Sequence, residues 1–207
     1  MNRLFNIAAA MTLITNIAFA QSNVAVGFKL GTNYSNVYSK SESVSFDDNG
    51  KFGAVAGVSL SVPIGQFIGV QPEILFSQKG FKATGTVLGS PYTLTRTTEF
   101  IDIPLMLQIR PIDMLTIVVG PQYSYLIKQK DKFENSVLSS EQNKEFNNDN
   151  LRKNLLAFIG GVDINVSKVT IGLRAGWDIQ NNNGDGTKTT PRYKNAWLQG
   201  TLGFKFM

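Results

Sequence analysis

The chain has 207 residues, enough for one sizeable domain, a net charge of +5, and neither cysteine nor histidine. Without cysteine there is no disulfide framework and no thiol chemistry; without histidine the usual general base, metal ligand and pH switch are gone. The basic residues are scattered rather than run together, which suits solubility or weak affinity for anionic lipid and argues against nucleic acid as a partner.

The first stretch, "MNRLFNIAAAMTLITNIAFAQ", reads as a secretory signal. Arg3 supplies the positive start, residues 4–17 the apolar segment, and Ala18-Phe19-Ala20 a small-residue cleavage site. The expected division is therefore a signal peptide over 1–20 and a single domain over 21–207. In that domain no apolar run reaches the roughly 18 residues of a membrane helix. The nearest, residues 101–120, is broken by Asp102, Arg110 and Asp113 and by Pro104 and Pro111. A membrane-spanning chain of this kind has to be a β-barrel.

Alternation with period two recurs along the domain. The first predicted strand sets Val24, Val26, Phe28 and Leu30 against Ala25, Gly27, Lys29 and Asn33. The second has Ala54, Ala56, Val58, Leu60 and Val62 on one face. The third sets Ile68, Val70, Ile74 and Phe76 against Gln71, Glu73, Leu75, Ser77 and Lys79. The fourth sets Ile101, Ile103, Leu105, Leu107 and Ile109 against Asp102, Met106, Gln108 and Arg110. The fifth sets Leu115, Ile117, Val119, Tyr123 and Tyr125 against Thr116, Val118, Gln122 and Ser124. The sixth has Leu156, Phe158, Val162 and Ile164 against Ala157, Gly161 and Asp163; the seventh has Val169, Ile171, Leu173 and Trp177 against Thr170, Arg174 and Asp178. The eighth has Leu198, Leu202, Phe204 and Phe206 against Gln199, Thr201 and Lys205. The runs are about 9–13 residues, the length a tilted membrane strand needs.

Connections alternate in length. Short ones fall at 63–66, 111–114 and 165–168; long polar ones at 35–51, 82–95, 128–153 and 180–194. A soluble, lipocalin-like barrel would also have one apolar face, turned inward. Its solvated face, however, would carry many long Lys and Glu residues. Here the second face is mostly Gly, Ala, Ser and Thr with one or two charges per strand, which suits the filled lumen of a narrow barrel. The expected fold is all-β: an eight-stranded antiparallel up-and-down transmembrane β-barrel with short periplasmic turns and long extracellular loops. Its expected location is the outer membrane of a Gram-negative bacterium.

Three stretches carry a family resemblance. "IGVQPEILFSQKGFK" has a Q-P-E core and an S-x-K-G end, "FIDIPLMLQIR" an acidic residue before I-P-L, and "LTIVVGPQYSYLI" a G-P after an apolar run. In these the chain resembles the PorT-type outer-membrane β-barrel proteins of Bacteroidota, often labelled "porin family", over essentially the whole domain. The resemblance implies the barrel fold and an envelope location, for a family whose members differ in role.

The charges expected in the lumen are Lys29, Glu73, Asp102, Arg110, Asp163, Arg174 and Lys205. An ionised carboxylate buried alone is costly, so Glu73 is expected to pair with Lys29, Arg174 or both, with Asp102 near the same height. Such a network either plugs the lumen structurally or acts as a gate. Acid–base catalysis by Glu73 with Asp102 lacks a nucleophile and a pocket. Outward aromatics such as Phe28, Tyr34, Phe76, Tyr123, Tyr125, Trp177 and Phe204 fall near strand ends, as interfacial girdles do. "NNNGDG" (181–186) lacks the closing Glu of a calcium loop, and "FDDNG" (46–50) is turn chemistry. No cofactor or metal is expected.

These readings lead to a non-enzymatic barrel with a side-chain-filled lumen, a structural, adhesion or accessory protein acting through its loops. A narrow porin-like pore is the alternative. Its expected partners are outer-membrane lipid and other envelope or secretion-apparatus proteins. An outer-membrane enzyme would need a catalytic set without histidine, and a periplasmic carrier would need a more charged outer face.

Overall fold

The computed structural model describes residues 24–38, 47–87, 90–135, 139–144, 152–182 and 193–206. The predicted signal peptide and residues 183–186 of "NNNGDG" lie outside them. Nine strands follow in order: β1 (Ala25–Tyr38), β2 (Asp47–Pro63), β3 (Ile68–Val87), β4 (Ser90–Ile112), β5 (Leu115–Asn135), β6 (Ser139–Lys144), β7 (Asn154–Val166), β8 (Val169–Asp178) and β9 (Lys194–Lys205). Eight of them close a ring, each antiparallel to its neighbours, with β1 joined to β9 from Gly27↔Lys205 to Tyr38↔Lys194. β6 stands outside the ring and pairs with the far end of β5, from Gln129↔Lys144 to Glu134↔Ser139.

Two of the long connections are not loops over most of their length. β3 and β4 stay paired from Ile68↔Ile109 up to Val87↔Ser90, so 82–95 is the end of a hairpin arm. Within 128–153, β5 continues to Asn135 and β6 returns along it. β1 to β5 are accordingly longer than the expected 9–13 residues, reaching 23 in β4, whereas β7, β8 and β9 keep to 13, 10 and 12. The apolar contrast fades in "TLTRTTEF", yet threonine on a pleated surface still favours a strand. A pattern read from hydrophobicity stops where the membrane stops, not where the sheet stops. For the same reason Asp47–Gly50 of "FDDNG" is not a turn but the start of β2, paired with 81–84 of β3.

The other end of the barrel is compact. Two-residue turns, Asp113–Met114 and Ser167–Lys168, join β4 to β5 and β7 to β8. Ser167 has φ 55°, as a tight hairpin turn requires. On the expectation that short turns face the periplasm and long connections the outside, the compact end and the extended arms are assigned to those two sides.

Apolar side chains face outward. Ile74, Leu105, Leu173 and Leu202 are each more than half exposed to the surroundings, as a lipid-facing wall demands. Aromatics mark both ends of that wall. Phe28, Phe204 and Phe206 cluster near the turn end with ring centroids 5.5–6.1 Å apart. Tyr34 packs on Phe52 at 4.9 Å and Phe158 on Trp177 at 5.5 Å toward the opposite end. The interior carries more than small polar residues. Met106, Val118, Ala157, Ile159 and Trp197 form an apolar cluster inside the barrel, and Phe100, Leu126 and Leu155 form a second. Trp197 points inward although its neighbour Leu198 faces lipid, because adjacent residues of a strand point to opposite faces.

Candidate functional site

The inner wall carries ionisable groups at three levels. Lowest, near the turns, Arg110 donates to Ser61 Oγ at 2.8 Å and to Gln108 Oε1 at 2.7 Å. Lys205 donates to Asn165 Oδ1 at 2.7 Å. From Arg110 a chain of side chains leads inward: Gln108 Nε2 donates to Gln71 Oε1, and Gln71 Nε2 to Glu73 Oε1.

At the middle level four charges meet. Lys29 Nζ lies 2.7 Å from Glu73 Oε1, and Arg174 Nη1 lies 2.9 Å from Glu73 Oε2. Arg174 Nη2 reaches Asp163 Oδ2 at 2.9 Å, and Lys29 Nζ is 3.6 Å from the same oxygen. Two carboxylates alternate with two cations, so the group is formally neutral. The side chains of Glu73 and Arg174 have no exposed surface. The planar guanidinium offers one nitrogen to each acid, a bridging geometry that a lysine ammonium does not reproduce.

Glycines make room for these long side chains. A Cβ on Gly161 would meet Arg174 Cγ at 2.9 Å and the Leu173 carbonyl oxygen at 2.2 Å. On Gly172 it would stand 2.7 Å from Asp163 Oδ1 and 2.5 Å from Thr201 Oγ1. The apparently featureless glycines of the polar face are thus the space the quartet occupies.

Asp102 is not part of this group. Its Oδ2 lies 2.9 Å from Lys79 Nζ, both side chains being buried. The contact is close in distance but not aligned as a hydrogen bond, and neither Asp102 oxygen has a hydrogen-bond partner among the described residues. Lys79 Nζ also sits 3.8 Å from the Trp197 ring centroid and 5.0 Å from that of Phe100, a cation–π arrangement. Asp178, buried nearby, accepts from Asn195 Nδ2 at 2.5 Å and from the Asn195 backbone N–H at 3.1 Å. Lys79 and Asp178 stood on the polar faces of their predicted strands but were not counted as lumen charges. β3 runs on to Val87, so Lys79 is a mid-strand residue, and Asp178 is the last residue of β8. Between the two levels Asn33 links Ser77 and Gln199, donating to Ser77 Oγ at 2.9 Å and accepting from Gln199 Nε2 at 3.1 Å.

Above the membrane wall, Arg96 forms a two-pronged pair with Asp131 at 2.7 and 2.9 Å. Its guanidinium carbon lies 5.8 Å from the ring centroids of both Phe81 and Tyr193. Val37, Phe81, Ala83 and Tyr193 pack together there, with Leu94 against them, and close the inside of the extracellular rim. Among the described residues no group of three or more acidic side chains is placed to hold a metal ion.

This ring of alternating strands with a filled polar interior coincides with a match to a family model, described as outer membrane protein beta-barrel domain, over residues 19–182. The chain belongs to this family. It is an outer-membrane β-barrel protein of eight ring strands. Solved structures similar to it include Ail, the attachment invasion locus protein of Yersinia pestis, with a TM-score of 0.46 at 13% identity over 87% of this chain and 98% of that one. Neisserial surface protein A has a TM-score of 0.48 at 9% identity, over 89% of this chain and 100% of that one. OprG from Pseudomonas aeruginosa has a TM-score of 0.38 at 11% identity, over 89% and 97%. No curated protein matches the chain.

Proposed function

We propose that this barrel is a non-enzymatic envelope protein, closed to solutes, that works through its extracellular arms as an adhesion, structural or accessory component. The observation that carries the reading is the Lys29–Glu73–Asp163–Arg174 quartet, whose four side chains bridge β1, β3, β7 and β8 across the lumen. Apolar clusters and the Arg96–Asp131 layer add further closure toward the outside. Catalysis finds no support, because the sequence lacks histidine and cysteine and the inner-wall acids Glu73, Asp163 and Asp102 are each held in an ion pair. The arms are what the barrel presents outward. The β3–β4 hairpin and the β5–β6 extension form one continuous sheet standing clear of the lipid-facing wall. The resemblance to PorT-type barrels of Bacteroidota supports an envelope or secretion-associated setting with protein partners.

The test pairs two assays on one preparation. Liposomes carrying the wild-type protein should not swell in isotonic small sugars, and swelling would favour the narrow-pore reading. Replacing 84–93 with a two-residue turn should leave the barrel folded yet abolish cross-links to neighbouring envelope proteins in native membranes. Unchanged cross-links would show that this arm is not the working surface.

A further inference from the structure

A groove of ≈ 320 Å³ runs between β1, β9 and β8, bounded by Tyr34, Asn36, Ala175, Trp177, Ala196 and Leu198. Its floor is Ala175 and Ala196, small residues in strands that elsewhere turn Ile171, Leu173, Leu198 and Leu202 to the lipid. Register explains the channel: on β9, Ala196 stands opposite Asn36 of β1 and Trp177 of β8, and Leu198 opposite Tyr34 and Ala175.

The walls are held apart rather than left free to collapse. Tyr34 packs on Phe52 of β2, its ring filling the space where Gly50 has no side chain. Trp177 packs on Phe158 of β7, on the other side. Each aromatic is therefore engaged away from β9, and neither has to cover the alanines between them. Tyr38 closes the extracellular end, its hydroxyl donating to the Asp178 carbonyl at 2.5 Å. Lys194 is directly opposite Tyr38 in the ladder, which puts this lysine at the same end of the groove.

Height places the groove in the outer leaflet. Trp177 is eight residues above Val169, where β8 leaves its turn. That is about 27 Å along the strand, or roughly 20 Å of height at a tilt of about 40° within a band about 25 Å tall. The groove is thus continuous with the lipid-facing wall and opens just below its extracellular edge. A water-soluble ligand would have to enter it through hydrocarbon, whereas a lipid chain is already there. The cation at its upper end complements a negatively charged headgroup.

We propose that this groove is a specific lipid site: it takes one acyl chain of a phosphorylated outer-leaflet lipid, with Lys194 facing the phosphate. The aromatic side walls and alanine floor bind the chain, and the ammonium selects the headgroup.

The experiment uses the full barrel purified in mild detergent and titrated with two probes, a phosphorylated multi-acyl lipid of the lipid A type and the same lipid with its phosphates removed. Retained lipid is counted by native mass spectrometry. Wild type should retain one molecule of the phosphorylated probe in preference to the other. Ala196→Trp, which fills the floor from the lipid side, should lose it. Lys194→Gln should weaken retention about fivefold, the effect of one cation near a charged headgroup. Ile103→Trp, a similar enlargement on the wall of β4, should retain the lipid as wild type does and shows that added bulk alone is not the cause. Equal retention by Ala196→Trp and wild type, or no preference between the probes, would overturn the proposal and leave only a non-specific lipid annulus. Loss in Ile103→Trp as well would overturn the assignment to this groove.

Discussion

Glu73 and Asp102 are both buried carboxylates on the inner wall, yet they are neutralised on different plans. Glu73 has one cation on each oxygen, a further donor in Gln71, and a second acid, Asp163, that shares the same two cations. Asp102 has a single misaligned partner, Lys79, which is itself surrounded by aromatic faces and has Asp178 nearby. The first cluster is a closed circuit of charges that ties β1 and β3 to the neighbouring pair β7 and β8 across the lumen. The second is a cation shared among weaker attractions. The lesson is that burial alone does not rank a charge. What matters is whether its removal leaves opposite charges with nothing to face.

Substitutions should therefore separate the two plans. The largest effect belongs to Glu73→Ala, which leaves Lys29 and Arg174 with only Asp163 between them. For a fully buried pair the loss is about 3–5 kcal/mol, and unfolding midpoints in lipid vesicles would measure it; a change within error would show that the quartet is not a unit. Lys79→Met is next. It removes the cation but keeps a long apolar stem against Trp197. A loss of about 1–3 kcal/mol is expected, so a loss exceeding that of Glu73→Ala would invert the ranking. Asp131→Asn touches the rim pair, where the two side chains are 16% and 11% exposed. It should cost about 1 kcal/mol with the barrel melting otherwise unchanged. The Lys132–Glu134 pair, nearly half exposed at 44% and 47%, gives the smallest case. Lys132→Ala should shift stability by only about 0.2–0.5 kcal/mol, and that shift should shrink in high salt.

Much of this architecture is written in the alternation. The lipid-facing rows, the closely spaced turns and the inward placement of Lys29, Glu73 and Arg174 follow from period two and from the cost of an unpaired buried charge. Other features lie beyond that signal. In the arms above the membrane the outward face is no longer apolar and threonines stand among the few apolar residues, so the contrast fades although pairing keeps the strands going. The levels of Lys79 and Asp178 lie beyond it too, since they depend on where β3 ends and how the neighbouring strands are staggered. Strand-to-strand stagger also separates Asp102 from the quartet: along β4 it appeared close in height, but register sets it opposite Leu75 and Ser124. The inward Trp197 needed one more residue of alternation, read back from Leu198. No single-strand pattern reports the groove beside Ala196, which exists only once β1, β8 and β9 lie side by side.

The central claim, that paired charges close this lumen, is tested most directly by single-channel conductance in planar bilayers, comparing wild type with Glu73→Ala under identical salt. The wild type should show no steady conductance. Glu73→Ala, with two cations facing one acid at mid-lumen, should admit small ions with a preference for anions, or yield no stably inserted barrel. A large, steady wild-type conductance would contradict the account, as would a Glu73→Ala barrel as tight and as stable as its parent.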